Sequence, residues 1–167
     1  MEYTQRYASP LGGITLASDG DCLKGLWFDG QTRFAEGLDP EHAERELPVF
    51  DLAVRWLDTY FSGREPDFIP PLRLNGTPFR QTVWKLLLTI PYGRTVTYGE
   101  IAAEAAGRLG LPRMSAQAVG GAVGHNPISL IIPCHRVMGS NGSLTGYAGG
   151  VERKARLLEL EGADIPA

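Results

Sequence analysis

The pattern of apolar and polar positions changes character about halfway along the chain. In the first half, Gly13 to Ser18 (GITLAS) and Cys22 to Phe28 (CLKGLWF) are short aliphatic and β-branched runs separated by Asp19-Gly20-Asp21. Two such runs around a turn sequence predict a β-hairpin. Glu41 to Glu46 is charged and predicts a short helix. From Val49 to Phe61 the apolar positions Val49, Leu52, Ala53, Trp56, Leu57 and Tyr60 recur at helical spacing until Gly63 stops them. Pro66 to Pro71 reads as a connection, and a unit boundary is expected near Asn75.

The second half predicts short helices and tight turns. Thr77-Pro78 has a threonine cap with proline at the first helical position, and the helix runs through Phe79, Val83, Trp84, Leu87 and Leu88 to Pro91. Thr97 and Glu100 form a capping-box pattern for a helix that carries Ile101, Ala102 and Ala105 and ends at Ala106. After a loop from Gly107 to Arg113, Ser115 caps a helix of small residues, Ala116 to Val123. Leu130 to Ile132 predicts a short buried strand, and Ser140-Asn141-Gly142-Ser143 a tight turn. A last helix, Val151 to Glu161, sets Val151, Ala155 and Leu158 against Glu152, Arg153 and Arg156. Two short helices followed by a glycine-rich turn segment resemble a helix-turn-helix with a wing. A helix reading AQAVGGAV lacks the long polar side chains of major-groove readers but suits close backbone approach, as at a minor groove. Two packed helices with no role in DNA binding remain the alternative.

Composition narrows the class. The chain has 167 residues, 43% hydrophobic and 21% charged, as in an ordinary globular protein of one domain or two small ones. Its longest apolar runs are far too short to span a bilayer. Met1 to Pro10 lacks a basic start followed by an apolar stretch, so no secretory signal is expected. Two cysteines, Cys22 and Cys134, make no disulfide framework and no CxxC zinc pair, so a reducing cytoplasm is expected. The net charge of −3 divides unevenly, −6 over residues 1–75 and +3 over residues 76–167. This is weak support for an anionic partner at the second half.

The chemistry concentrates at Pro133-Cys134-His135-Arg136. An apolar run leads into proline and then cysteine, with a base and a cation adjacent. A cysteine nucleophile acts as its thiolate, and His135 and Arg136 are the local groups able to favour proton loss. On an extended chain neighbouring side chains point apart, so His135 would need a bend or a bridging water to reach Cys134. A buried structural thiol is the alternative, and it fits Cys22 well. Taken alone, Glu161 reads as a surface residue at a helix end, Asn126 as a turn residue before Pro127, Tyr98 as a core or surface aromatic, and His42 and His125 as solvated loop residues.

Ile132 to Val137 (IPCHRV), within AVGGAVGHNPISLIIPCHRVMGSNGSLTGYAGG, resembles the active-site segment of the O6-alkylguanine-DNA alkyltransferases. The resemblance covers about residues 77–162, and SPLGGITLAS with CLKGLWF is similar in style to the N-terminal sheet of bacterial members. It implies an α/β N-terminal unit, residues 1–75, with a ribonuclease-H-like small sheet and helices. Residues 76–167 are then a mainly α winged helix-turn-helix that binds DNA and accepts the alkyl group. Cys134 matches the acceptor, His135 the histidine acting through water, Glu161 the glutamate polarising it, and Asn126 the asparagine bracing the turn. Tyr147 matches the donor to guanine O6, and Lys154 a lysine that assists the leaving base. Tyr98 matches the tyrosine that helps rotate the nucleotide out. Ser115, Gln117, Ala118 and Gly121 fall on the DNA-facing helix. Arg136 is grouped with them, in a structural role. Val137, Ala148 and Ser129 line the pocket.

The implied activity is irreversible transfer from O6-alkylguanine, and from O4-alkylthymine, in double-stranded DNA. It requires no metal or cofactor and involves no membrane. The protein is expected to be a monomer that could bind DNA side by side. The family's helix arginine is replaced here by Gln117, which lacks the charge and the stacking guanidinium, so weaker DNA affinity is expected. The zinc ligands of some relatives have no match. Two other classes stay open: a module that recognises alkylated DNA without repairing it, and a thiol enzyme acting on small electrophiles.

Overall fold

A computed structural model of the chain describes residues 1–140, 142, 144 and 147–163. The chain forms two compact units, one of residues 1–75 with Pro127–Ser129, the other of residues 76–126 with 130–167.

The N-terminal unit is a four-stranded sheet with one long helix. Strands β1 (Glu2–Ser9), β2 (Gly12–Ser18), β3 (Leu23–Phe28) and β4 (His42–Glu44) lie in the order β3-β2-β1-β4, antiparallel except for β4, which runs parallel to β1. The predicted hairpin is β2–β3. Helix α1 (Pro48–Phe61) packs against β1, β2 and β3 through Val49, Phe50, Ala53, Trp56, Leu57 and Tyr60. Two features depart from the sequence reading. Glu41 to Glu46 is not a helix: its centre is the exposed edge strand β4, where charged residues discourage pairing with another chain. Strand β1 went unpredicted because among its eight residues only Thr4 is buried, so it carries no apolar run. Residues 127–129 extend the sheet at its other edge, with Leu26 N donating to Pro127 O and Ser129 N to Leu26 O.

The C-terminal unit packs α2 (Pro78–Leu87), α3 (Tyr98–Leu109) and α4 (Ala116–Gly124) against one another, with α5 (Val151–Leu160) and a two-stranded parallel sheet of β5 (Val96–Thr97) and β6 (Val137–Met138). All three expected caps form. Thr77 Oγ1 accepts from Arg80 N at 3.2 Å, Ser115 Oγ from Ala118 N at 3.0 Å, and Thr97 and Glu100 satisfy each other's backbone N–H. Each such cap is worth about 1 kcal/mol. Helix α3 runs on to Leu109, past the expected start of the loop, and stops at left-handed Gly110, where Leu111 N reaches back to Ala106 O at 2.9 Å. Trp84 Nε1 donates to Ala122 O at 2.9 Å, fixing α4 on α2.

Leu130 to Ile132 is a buried turn rather than a strand, with Leu130 at φ 71°. Of the expected apolar face of the last helix, Leu158 is buried and Ala155 half-buried, but Val151 is 51% exposed; Lys154 and Leu157 join Leu158 in the interior. Of the expected tight turn at Ser140–Ser143, Asn141 and Ser143 lie outside the described residues. No helix among the described residues is long and apolar enough to cross a membrane.

Candidate active site

The chain reaches Cys134 through a bend that proline is suited to make. Pro133 sits at φ −81° and ψ 64°, and Cys134 N donates to Ile132 O at 2.8 Å. That is an inverse γ-turn, and its central residue needs no N–H of its own. Asn126 Nδ2 donates to the same Ile132 carbonyl at 2.8 Å, so Asn126 is a buried brace rather than a solvated turn residue. Cys134–Arg136 then forms one 3₁₀ turn before β6 pairs with β5. Of the bend and the bridging water that the sequence left open, the chain shows a bend: Cys134-His135 lies in a tight turn. Leu130, a few residues earlier, occupies the left-handed region while fully buried, a backbone state costing about 1–2 kcal/mol for a residue with a Cβ.

His135 and Glu161 meet inside this unit. A carboxylate only accepts, so His135 Nε2–H donates to Glu161 Oε2, at 2.6 Å, and both side chains are fully buried. Glu161 also accepts from Arg136 Nε at 2.8 Å, Arg136 Nη2 at 3.2 Å and the backbone N–H of Gly93 at 3.0 Å. The surface placement read from its helix-end position is corrected: Glu161 lies on the same stripe as Lys154, Leu157 and Leu158. Burial alone would raise its carboxyl, but the His135 hydrogen bond and the His135 and Arg136 charges outweigh that and hold it at about 2. Burial pushes the His135 imidazole below its ordinary value, against the pull of Glu161.

Arg136 is buried too. Its third bond runs from Nη1 to Ile90 O at 2.8 Å, and its guanidinium lies 5.7 Å from the Tyr92 ring centroid. Its grouping with the DNA-facing residues is thus corrected, since its hydrogen bonds are spent inside the unit.

Cys134 rests as a thiol. Burial pushes it up to about 11, while the Asn126 side-chain hydrogen bond and the Lys154 charge pull it part of the way back. Lys154 is fully buried on α5 and donates to Val137 O; burial lowers its ammonium to about 8, and the Cys134 charge opposes that. Tyr98, the first residue of α3, is half-buried, and its hydroxyl is raised by burial and then by the Cys134 charge. Tyr147 is buried with its ring edge-on to His135, centroids 6.3 Å apart, and Ala148 beside it is half-buried.

The structure thus brings Cys134, His135, Glu161, Asn126, Lys154, Tyr147, Tyr98, Arg136 and Val137 into one unit. Ser115, Gln117 and Gly121 lie exposed along α4, with Ala118 half-buried. Ser129 falls in the N-terminal unit, buried, with its hydroxyl donating to Gln31 Oε1 at 3.5 Å. His42 is exposed in β4, and His125 is half-buried at the end of α4. Sequence reasoning missed Gly93, whose contact with Glu161 is made at long range, and Gln31, which accepts from nearby Phe28 N and from distant Ser129.

Two family models cover nearly the whole chain. The ribonuclease-like domain of 6-O-methylguanine DNA methyltransferase matches residues 3–74, and the DNA binding domain of the same family matches residues 78–163. The chain belongs to the 6-O-methylguanine DNA methyltransferase family. Among curated relatives, the methylated-DNA--protein-cysteine methyltransferase of Mycobacterium tuberculosis is 48% identical over 161 residues, covering 95% of this chain and 92% of that protein. The protein of the same name from Methanosarcina acetivorans is 44% identical, covering 96% and 99%. Among solved structures, Mycobacterium tuberculosis OGT in complex with DNA superposes with a TM-score of 0.84 at 45% identity, covering 99% of this chain and 96% of that one. The two-unit architecture, a ribonuclease-like sheet unit followed by a helical DNA-binding unit, is therefore that of the methyltransferase family.

Proposed function

We propose that this family member repairs DNA by moving the alkyl group of O6-alkylguanine, and of O4-alkylthymine, onto Cys134 in one irreversible step. The observation that carries the reading is the buried series Cys134, His135, Glu161 within the helical unit. His135 Nδ1 takes the thiol proton, through a bridging water. Cys134 Sγ forms a bond to the alkyl carbon as the carbon–O6 bond breaks. The base leaves with the electron pair, stabilised by the Tyr147 hydroxyl at O6, and takes up one proton from water at a ring nitrogen, while the proton taken from the thiol stays on His135 until it returns to water. Lys154 supplies the counter-charge for the thiolate and holds the Val137 carbonyl, rather than standing free beside the leaving base. Every electron and proton in this step has a named place, so the chemistry closes without a metal or cofactor. A reducing cytoplasm keeps such a thiol available.

The target base is paired within a duplex, so the nucleotide has to be rotated out, and we assign the minor-groove face of α4 and Tyr98 to that step. Gly120 and Gly121 support this assignment. A Cβ at either would meet nothing within 4 Å, so packing inside the protein does not require them. Glycine in a helix costs about 1 kcal/mol relative to alanine, and a flat outer face lets a DNA backbone come close. Gly121→Ala is expected to stabilise the fold by about 0.5–1 kcal/mol while weakening duplex binding. Gly107→Ala on α3, which also has open space, should give the stability gain alone. Thermal melts and duplex titrations of both variants check this; equal binding by the two would remove α4 from the interface.

Tyr98→Ala should slow transfer from a methylated duplex about tenfold or more relative to reaction with free O6-benzylguanine, which needs no rotation. Equal slowing on both substrates would argue against the assignment. A wild-type protein that binds the methylated duplex but never becomes methylated would favour a recognition module instead.

A further inference from the structure

The hydrogen-bond pattern at Glu161 poses a question of charge. A buried carboxylate facing a buried imidazole ordinarily stabilises the imidazolium, and an imidazolium cannot take a proton from Cys134. Here the same carboxylate is gripped by Arg136 through two nitrogens, at 2.8 and 3.2 Å, and capped by Gly93 N–H at 3.0 Å. The guanidinium is itself anchored to Ile90 O at 2.8 Å and lies over the Tyr92 ring. The planar cationic fork of an arginine matches a carboxylate with two parallel N–H donors.

We propose that Arg136 is a positioning residue for the transfer reaction: by neutralising Glu161 in place, it keeps His135 an uncharged imidazole and so leaves Cys134 a protonated thiol until substrate arrives. Glu161 then orients the ring through Nε2–H and leaves Nδ1 as the accepting nitrogen. A cysteine that is used once is thereby held in its unreactive form, because the thiol is a far weaker nucleophile than the thiolate. The inference rests on the repair reading only in naming Cys134 the acceptor and His135 its base.

Burial is the largest influence on His135 and disfavours the imidazolium. Glu161, capping α5, favours it, and the charges of Arg136 on its own turn and Lys154 of α5 oppose Glu161. Among the described residues, Cys134 itself, Tyr147 before α5, Tyr98 of α3, which feels the Cys134 charge, and Tyr92 after α2 also lie around this network. None of these side chains can carry a positive charge, so none replaces the guanidinium.

The test is the protonation midpoint of His135, read by nitrogen NMR of the imidazole in the full chain. In the wild type it should lie below the ordinary value of about 6.5. In Arg136→Gln the unbalanced Glu161 should raise it by about one pH unit or more over the wild type. Arg136→Lys keeps the charge without the fork and should stay close to the wild type. The charge-neutral double variant Arg136→Gln/Glu161→Gln should return the midpoint below 6.5. A merely loosened site would instead bring both Gln variants to about 6.5, and that result, or an unmoved midpoint in Arg136→Gln, overturns the proposal. Should Arg136→Gln not fold, a His135 already charged at pH 7 in Arg136→Lys overturns it equally. Methyl transfer from a duplex by the wild type, measured alongside, separates the two claims. Absent transfer retires the repair reading, while the His135 midpoints still decide the role of Arg136.

Discussion

Glu161→Ala is expected to lower the stability of the protein by about 3–5 kcal/mol, the usual cost of removing one partner from a buried ion pair. The variant leaves the Arg136 guanidinium buried with only Ile90 O and the Tyr92 face, and deprives His135 Nε2–H and Gly93 N–H of their acceptor. For a domain of ordinary stability, about 5–15 kcal/mol, that is from about a fifth of the total upward. Denaturant unfolding of wild type and variant checks it, and a loss under about 1 kcal/mol would mean the network is far weaker than its geometry implies.

The charge of Glu161 has its own signature in acid. Its folded value of about 2 lies below the unfolded value of about 4.3. The folded state therefore binds fewer protons in that interval. The contribution is complete above the unfolded value and is lost as pH falls toward 2. Glu161→Gln keeps an acceptor for His135 but should remove this part of the acid dependence.

Cys134→Ser should abolish stable alkyl acceptance, lowering transfer by roughly a thousandfold or more while leaving duplex binding in place. A serine hydroxyl at this position has the same braces, but it does not ionise in reach of a neutral imidazole. Cys134 already rests well above an ordinary thiol, at about 11, because burial outweighs Asn126 and Lys154. A less acidic group in the same buried position has no route to the anion. Methyl transfer equal to wild type in this variant would place the acceptor elsewhere.

Features that depend on neighbours in sequence were legible in it. The caps at Thr77, Thr97 and Ser115 involve groups three residues apart, and the α1 stripe involves one helix face. Strand β1 was not legible, because its position between β2 and β4 comes from backbone pairing rather than from apolar side chains. The exposed strand β4 resembled a helix because charged residues suit either a solvated helix or an edge strand. At the site, IPCHRV marked Cys134 and His135 directly, but the geometry around them was hidden. A proline before cysteine could continue an extended chain or turn it, and the Asn126 bond to Ile132 O belongs to the turned form. The sequence does carry a signal for Glu161. Lys154, Leu157, Leu158 and Glu161 recur at the spacing of one buried helix face, with charged residues at two of the four places. A polar residue on an apolar stripe is informative because burying it requires a partner, and here the partners are His135, Arg136 and the Val137 carbonyl.

The most direct test of the repair account is intact-protein and peptide mass spectrometry after incubation with a duplex carrying one O6-methylguanine. The account predicts one added methyl per protein, on the Cys134 peptide, with one guanine restored and no further turnover. A protein that stays unmodified while binding the methylated duplex selectively would contradict it, as would methylation on Cys22 or repeated turnover.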